Sequence, residues 1–261
     1  MRQYQVQILQ YDVIITPVTT QWATLTLSGP KSRQLLQSLD SDMNFTKEAF
    51  PHMSFRSGTL EGVPARIARV SFTGEVSYEI NVAASYAEAL WERLLKAGAK
   101  DGIAPYGLEA LIILRLEKGY LHIGSDTDGN TIPDDIGWGG TARKKATDYI
   151  GKRSQDLTVF QSDHRQQLVG FKLLKAQGKH FIEVGAHTIE RIDSASGMRS
   201  TGFITSSCYS PTLNCPIAIG RIENGRNRHG EVVEVYFDQK FYQAEITAPV
   251  FYDPCGERLN D

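Results

Sequence analysis

The stretch SFTGEVSYEI, residues 71–80, decides the first half of the fold. It joins two strand candidates, Ala65–Phe72 and Ser77–Val82, through a turn at Thr73-Gly74. Helix signals lie on both sides of this strand pair. Strands with interposed helices are typical of an α+β sheet that carries its helices on one face. The stretch therefore predicts an α+β domain.

The neighbouring elements follow from apolar spacing and capping residues. A capping box at Ser85 and Glu88 predicts the start of the clearest helix in the chain, and Gly98 predicts its left-handed cap. A second helix is expected at Leu108–Lys118, before Gly119. The remaining predictions in this half are the strands Tyr11–Val18 and Trp22–Leu27, and a short helix opened by Gly29-Pro30 that runs through Leu35, Leu36 and Leu39.

The pattern changes in the second half of the chain. A polar loop with four carboxylates is followed by a basic stretch that we predict to be helical, and short strands with frequent turns begin after about Asp156. This spacing predicts a small β-barrel or sandwich. We therefore divide the chain into an α+β domain at residues 1–156 and a C-terminal barrel domain at 157–261. The predicted strands of the second domain are Leu168–Leu174, Phe181–Val184, Thr188–Ile192, Gly202–Ser206, Ile217–Ile222, Glu231–Phe237 and Phe241–Ile246.

Composition excludes several classes of protein. Lys plus Arg total 28 against 30 for Asp plus Glu, and this balance argues against nucleic acid as a partner. No apolar run approaches the roughly 20 residues that span a bilayer, so no membrane partner is expected. The first residues lack the apolar core of a signal peptide. The three cysteines form no Cys-x-x-Cys pair, which favours a reducing, cytoplasmic location over a disulfide scaffold.

Standard chemistry motifs are missing. The loop at residues 126–130 resembles a calcium loop superficially, but its glycine stands at position four rather than six, and Gly137 stands where the glutamate belongs. No Gly-x-Gly-x-x-Gly follows a strand, and no Gly-x-Ser-x-Gly is present. The six histidines show no i,i+3 or i,i+4 pair, so no metal site is predicted.

Three ordered stretches remain, and a fourth lies in the barrel half. They are SFTGEVSYEI at 71–80, PYGLEA at 105–110 running to LRLEKGY at 114–120, the acidic loop at 124–139, and GFITSS at 202–207 with Ser210-Pro211 and Ala218-Ile219-Gly220. In this order and spacing they resemble the folate-binding aminomethyltransferase family. Its members include the glycine cleavage T-protein and the C-terminal part of the sarcosine oxidase alpha subunit, and the second and third stretches are closer to the latter. The resemblance implies ferredoxin-like α+β subdomains around a central cavity, followed by a small C-terminal β-barrel.

The resemblance also implies a set of cofactor-binding residues. Glu79 matches the family glutamate that clamps the pterin ring of tetrahydrofolate. A carboxylate suits that role because it accepts two parallel hydrogen bonds from the N–H and amino edge of a pterin. From the residues alone a solvent-facing Glu79 is favoured, since glutamates are mostly exposed. The full predicted set is Glu79, Phe72, Tyr78, Leu111, Ile123 and Trp138, with no catalytic residue assigned.

Some positions depart from the T-protein pattern. Phe72 keeps an aromatic wall but lacks a hydroxyl, Leu111 stands where the T-protein has arginine, and Ile123 stands where it has tyrosine. These differences disfavour a glycine cleavage role and agree with the sarcosine oxidase branch. A core position for Leu111 and a packing role for Trp138 stay open. For Arg115 and Glu117 we favour a structural role, as a pair along or across the helix.

The implied function is that of a tetrahydrofolate-binding domain of a sarcosine oxidase alpha subunit-like protein. Such a domain transfers a one-carbon unit from an oxidised N-methyl amine to tetrahydrofolate and yields 5,10-methylenetetrahydrofolate. Flavin and NAD are expected only on other parts or subunits of a sarcosine oxidase, which are the expected protein partners. If active, the chain is the aminomethyl transferase part of that enzyme.

Two alternatives stay open, a non-catalytic folate-binding or assembly module and a T-protein-like aminomethyltransferase. The first is motivated by the start of the sequence. The family's N-terminal segment carries the catalytic aspartate, and nothing before Asp12 resembles that segment. The basic residues offer a landing site for the folate glutamyl tail, although a solvated helix face is favoured. These residues are Arg143, Lys144 and Lys145.

Overall fold

The computed structural model describes residues 12, 14–162, 164–174, 182–192 and 197–260. These residues fall into two compact units. The first contains the described residues up to Ser71, then Glu75–Pro105 and the last residues from Arg258. The second contains Phe72–Gly74 and the described part of Tyr106–Glu257.

The first unit is a four-stranded antiparallel sheet with two helices. The strands lie in the order β1-β4-β3-β2. Ser77–Ala83 of β4 therefore pairs with both β1 and β3, and Thr26 and Ala68 flank Glu79. The elements are β1 Trp22–Ser28, α1 Ser32–Gln37, β2 Ser54–Leu60, β3 Val63–Arg69, β4 Ser77–Ala83 and α2 Ala87–Gly98.

Alternation along the strands gives this sheet one apolar face. Every second residue of β3 and β4 is buried, including Ile67 and Ile80. These side chains share one core with Leu36 of α1 and with Leu90 and Leu94 of α2. Both helices therefore cover the same face of the sheet, as the sequence predicts.

The start and end of α2 differ from the prediction. A short 3-10 turn at Ala84–Tyr86 precedes the helix, and no side chain caps its first turn, so the predicted capping box is wrong. Gly98 has a helical φ of −84°, and the left-handed residue is Gly102 at φ +80°. Gly98 is required instead by close packing, because a Cβ there would lie 2.8 Å from Ile103 Cβ.

Three further predictions need correction. Residues 14–18 form no strand, and the rest of the predicted strand Tyr11–Val18 lies largely outside the described residues. Strand β2 was not predicted, because its polar residues occupy a sheet edge and carry no clear alternation. In the basic stretch the only α-helix among the described residues is α4, Gly139–Arg143, followed by turns and short 3-10 segments.

The second unit contains a closed six-stranded barrel. The strand order around it is β10-β5-β8-β7-β6-β9, with all pairs antiparallel. Closure leaves no free strand edge, which protects the barrel from edge-to-edge association. Of the predicted strand Phe181–Val184, Phe181 lies outside the described residues and the remaining three residues form no strand. The elements are α3 Leu108–Glu117, α4 Gly139–Arg143, β5 Gln166–Leu173, β6 His187–Arg191, β7 Met198–Ser210, β8 Cys215–Glu223, β9 Val232–Phe237 and β10 Lys240–Thr247.

Strand β8 packs on both of its faces. Ala218 and Ile222 belong to one cluster with Phe171 and Val235. Residues of the opposite parity, Ile217 and Ile219, form a second cluster with Leu116 of α3 and Cys208 of β7. Helix α3 is thus fixed to the outer surface of the barrel. It ends at Glu117, and Gly119, the predicted stop, follows with a φ of +71°.

The α+β sheet and the barrel confirm the predicted fold class. No helix in the described part of the chain has the length and apolarity to cross a bilayer.

The buried cysteine of β7 provides a test of this packing. Burial raises the pKa of the Cys208 thiol to about 12, with the charge of Glu117 adding to the effect, whereas Cys255 is exposed. Because the thiolate is the reactive form, we expect iodoacetamide at pH 8 to alkylate Cys208 at least about 100-fold more slowly than Cys255. Peptide mass spectrometry measures both rates. In guanidinium chloride the rates should become equal, and equal rates in the native protein would contradict the burial of Cys208.

Candidate cofactor-binding site

Glu79 lies on the face of the first unit's sheet that the helices do not cover. It is half-buried in the middle of β4, opposite in direction to Tyr78 and Ile80. Its backbone carbonyl accepts a hydrogen bond from Asn81 Nδ2 at 3.2 Å. Within the described residues its carboxylate has no hydrogen-bond or ion-pair partner. Two acceptor oxygens are therefore available on this face.

The rest of this sheet face is polar. Thr24 Oγ1 donates to Asn81 Oδ1 at 2.6 Å across β1 and β4. The Arg66 guanidinium stacks over the Trp22 ring, 4.4 Å from its centroid. Both pairs lie on the same sheet face as Glu79. The predicted carboxylate is thus surrounded by groups that form hydrogen bonds or stack, rather than by a hydrophobic core.

Tyr78 lies on the opposite face from Glu79. Its side chain is fully buried, and its ring packs edge-on against Phe45 and Phe50 at centroid distances of 6.1 and 5.7 Å. Adjacent residues of a strand point to opposite faces. Tyr78 and Glu79 therefore do not present their side chains to the same surface.

Phe72 belongs to the second unit, where it stacks on Tyr120. Their ring centroids are 6.5 Å apart and the rings are inclined by 21°. Burial, and then the charge of Asp253, raise the pKa of Tyr120, which favours its neutral phenol. The turn beside Phe72 is close-packed, because a Cβ on Gly74 (φ +87°) would lie 3.0 Å from the Lys118 side chain. Phe72 is thus one half of an aromatic pair.

The sequence analysis missed a buried network around Asp126. Asp126 is 0% exposed and Arg115 of α3 is 2% exposed, with Arg115 Nη1 2.6 Å from Asp126 Oδ2. The same carboxylate accepts hydrogen bonds from the backbone N–H of His122 at 2.7 Å and from two adjacent hydroxyls of β7. Thr205 Oγ1 and Ser206 Oγ both lie within 2.7 Å of Asp126 Oδ1.

A β-bulge explains how neighbouring hydroxyls reach one oxygen. The register between β7 and β8 shifts between Ile204 and Ser206, so Thr205 is the extra residue. A bulge interrupts the alternation of side chains and re-aims them. Arg115 Nη2 also donates to Ser206 Oγ at 2.6 Å. The bulge therefore adapts the barrel wall to a buried ion pair.

Two further residues of the same motif, Glu117 and Lys118, also anchor α3. Glu117 is buried and accepts hydrogen bonds from Ser210 Oγ at 2.5 Å and Thr212 Oγ1 at 3.0 Å. Lys118 Nζ lies 2.8 Å from Asp253 Oδ2 in a pair that is nearly inaccessible to solvent. The structural role predicted for Arg115 and Glu117 agrees with this geometry. Each has partners on other elements, so the predicted pair between them is wrong.

The remaining predicted residues also lie in the second unit. Leu111 is half-buried on α3. Ile123 is 68% exposed, in the loop that Asp126 ties down through His122. Trp138 is 57% exposed and its backbone N–H donates to the carbonyl of Pro133 at 2.7 Å, at the start of α4. The side chains of Ile123 and Trp138 are thus exposed to solvent, on loops whose backbones are held by hydrogen bonds.

The acidic loop is held by arginines. Arg221 Nη2 lies 2.7 Å from Asp128 Oδ2, and this hydrogen bond is the main reason why the pKa of Asp128 is well below its usual range. Arg165 pairs with the buried carboxylate of Asp135 at 2.5 Å, and Arg143 of the basic stretch pairs with Asp134. These ion pairs stabilise the conformation of the acidic loop.

Two cavities lie away from the predicted residues. One of about 260 Å³ is lined by residues of the first unit, including Leu27, Lys31 and Ile103. The other, of about 240 Å³, is lined in the second unit by Arg165, Arg226 and neighbouring polar residues. Neither contains a predicted cofactor residue in its lining.

Comparison with known proteins defines the class. Residues 1–146 match the GCVT N-terminal domain family model, and residues 166–253 match the glycine cleavage T-protein C-terminal barrel domain. The chain belongs to the glycine cleavage T-protein (GCVT) family of aminomethyltransferase-type proteins. The family and fold inferred from the four sequence motifs are confirmed.

Individual relatives refine this assignment. The sarcosine oxidase subunit alpha of Rhizobium meliloti is 36% identical over 96% of this chain, and that of Corynebacterium sp. strain U-96 is 34% identical over 95%. The chain spans only about a quarter of the length of these relatives, 25% and 26%. An aminomethyltransferase of Halothermothrix orenii is 32% identical over 86% of this chain and 59% of its own length. The crystal structure of glycine cleavage system aminomethyltransferase T from Bartonella henselae has the same fold, with a TM-score of 0.71 and 23% identity over 89% of this chain and 60% of that one.

The Asp126 network generates a stability prediction. Replacement of Asp126 by Ala leaves the Arg115 guanidinium buried without its counter-charge, so we expect a loss of about 3–5 kcal/mol in the free energy of unfolding. Urea denaturation followed by circular dichroism measures it. Asp148→Ala is the matched control, because Asp148 pairs with Arg153 where both side chains are exposed, and it should change stability by less than about 1 kcal/mol.

A double-mutant cycle separates the ion pair from simple loss of packing. Arg115→Ala with Asp126→Ala should cost clearly less than the sum of the two single substitutions, because each single variant strands a buried partner. If the losses in the free energy of unfolding were additive, the coupling free energy between Arg115 and Asp126 would be zero.

Proposed function

We propose that this chain is the tetrahydrofolate-binding, aminomethyltransferase-type domain of a sarcosine oxidase alpha subunit-like protein. In this function a one-carbon unit passes from an oxidised N-methyl amine to tetrahydrofolate, giving 5,10-methylenetetrahydrofolate. The observation that carries the proposal is the carboxylate of Glu79, which is half-buried on β4 and has no partner among the described residues. The sequence resemblance matches this residue to the family's pterin clamp.

The comparisons support the proposal at the level of the whole chain. Sarcosine oxidase alpha subunits match nearly its full length at 34–36% identity, and both family models are aminomethyltransferase-type. The chain spans a quarter of the length of those subunits. We propose that flavin and NAD bind to other parts or subunits of a sarcosine oxidase, and that these subunits are its protein partners.

The residues present suit a pterin. Glu79 offers two acceptor oxygens on a polar sheet face, and a pterin edge offers a matching pair of N–H donors. Hydrogen bonds to a charged group contribute about 1.5–3 kcal/mol each where water is excluded. We keep Phe72, which stacks on Tyr120, and Trp138, whose indole is exposed, as candidate folate-contacting residues, because the resemblance assigns them that role. Tyr78 is left out of this set because its side chain is fully buried in the core.

The role of the protein is mainly positioning. Tetrahydrofolate, when bound, supplies the nitrogen atoms that accept the one-carbon unit. Glu79 fixes the orientation of the ring, which raises the effective concentration of the reacting groups. Ile123 and Leu111 contribute apolar surface that excludes water, and water would otherwise divert the carbon to formaldehyde. The Asp126 network holds the backbone of the loop that carries Ile123.

Calorimetric titration with tetrahydrofolate under anaerobic conditions tests the clamp. We expect micromolar affinity for the chain and a loss of at least tenfold, about 1.4 kcal/mol, in Glu79→Ala, because the paired hydrogen bonds are removed. Glu88→Ala is the matched control, since Glu88 is an exposed carboxylate on α2 of the same unit. Equal affinity of the wild type and Glu79→Ala would exclude Glu79 as the clamp.

A second measurement separates transfer from binding alone. With formaldehyde as the one-carbon donor, an active domain should form 5,10-methylenetetrahydrofolate faster than the uncatalysed reaction at the same concentrations. Tight binding without acceleration would favour the non-catalytic folate-binding module.

A further inference from the structure

An arginine interrupts the inward-facing apolar residues of β3. Val63, Ala65 and Ile67 point into the core of the first unit, and Arg69 continues the same alternation. Arg69 is only 1% exposed. An arginine at an inward strand position is rarely buried without a charged partner. This position therefore requires an explanation that core packing does not provide.

The contacts of Arg69 satisfy only part of its guanidinium. Nη1 donates to the carbonyl of Phe50 at 2.9 Å and Nη2 donates to the carbonyl of Leu259 at 2.8 Å. Its Nε is buried and has no hydrogen-bond partner. Within the described residues no carboxylate forms an ion pair with Arg69.

Tyr78 of β4 and Arg33 of α1, a helix that packs on β4, also carry buried donors without partners. Ala68 pairs with Glu79, so the next position brings Tyr78 of β4 opposite Arg69 with both side chains on the core face. The hydroxyl of Tyr78 is buried and forms no hydrogen bond. Arg33 of α1 has a buried Nε and Nη2 without a partner, and no carboxylate in the described part of the chain pairs with it.

The charges of these groups act on one another. Burial lowers the pKa of Arg69; Tyr78 opposes this shift and the charge of Arg33 adds to it. Burial together with the Arg69 charge lowers the pKa of His52. Among the described residues, no aspartate or glutamate forms an ion pair with either Arg69 or Arg33. Arg69 is buried and Arg33 is half-buried, and a counter-charge offsets the cost of removing such cations from water.

We propose that Arg33, Arg69 and Tyr78 form a binding site for a small oxyanion, a carboxylate or a phosphate group. Guanidinium groups match the oxygens of such anions, and charge-assisted hydrogen bonds from Nε and Nη2 are the strongest that these side chains form. The Tyr78 hydroxyl adds a third donor. This site is distinct from the proposed cofactor site, because Tyr78 and Glu79 lie on opposite faces of β4.

Titration of the whole chain with inorganic phosphate or acetate, in chloride buffer of constant ionic strength, tests the site. We expect saturable binding with one site per chain in calorimetry and a matching rise in melting temperature, since a ligand that binds only the folded state stabilises it. Absence of saturable binding by both anions would overturn the proposal.

Variants assign the binding to these residues. Arg33→Gln should weaken binding at least tenfold, and Tyr78→Phe, which removes only the hydroxyl, should weaken it about threefold or more. Arg153→Gln is the matched control, because the Arg153 side chain is 92% exposed, and it should leave binding unchanged. Unchanged binding in both Arg33→Gln and Tyr78→Phe would place the anion elsewhere and overturn the proposal.

Two further variants separate competing sources of the effect. Asp261, outside the described residues, follows Leu259 closely in sequence and is a competing source of negative charge. Binding that is unchanged in Asp261→Asn supports a free anion, whereas binding that appears only in that variant would show that the chain supplies the carboxylate itself. Glu79→Ala should leave phosphate binding unchanged, so failure of the clamp and failure of this site are distinguishable.

Discussion

The buried ion pair between Arg115 and Asp126 is the interaction on which the second unit depends. The carboxylate of Asp126 is inaccessible to solvent. It pairs with Arg115 of α3 and accepts hydrogen bonds from the backbone N–H of His122 and from two hydroxyls of β7. An ion pair at this depth stabilises the fold only if its remaining donors and acceptors are satisfied. The hydroxyls of Thr205 and Ser206 satisfy the carboxylate, and the β-bulge at Thr205 allows both to do so, whereas Arg115 Nε has no partner among the described residues.

Three charged residues at the end of α3 have partners on different elements. Arg115 contacts the loop and β7, Glu117 accepts hydrogen bonds from Ser210 and Thr212, and Lys118 pairs with Asp253. A single helix end is therefore tied to the loop, to the barrel and to the segment after β10. The same network fixes the backbone of the loop that presents Ile123.

The sequence predicts most elements of this fold because most follow from local patterns. The strand pair around residues 71–80, the helix that ends before Gly119 and six of the seven predicted barrel strands appear in the structure. The errors at α2 have a different cause, because Gly98 is set by contact with Ile103, and that contact is not visible in local spacing. Strand β2 escaped prediction because a polar edge strand carries little alternation. The partners of Arg115 lie up to 91 residues away, so spacing along the helix could not identify them.

The two faces of β4 show what alternation contributes to the candidate site and what it cannot decide. A period of two separates Tyr78, in the core, from Glu79, on the polar face, so neighbouring residues of one motif serve different surfaces. The resemblance placed both in one ligand set, and only the register distinguishes them. The same register brings Arg69 beside Tyr78 and leaves a buried cation where the strand pattern calls for an apolar residue. Burying the Arg69 charge is costly without an anion, whereas the outward-facing Glu79 carboxylate carries no such cost. The choice of residues is therefore more restricted on the inward face of the sheet than on the outward face.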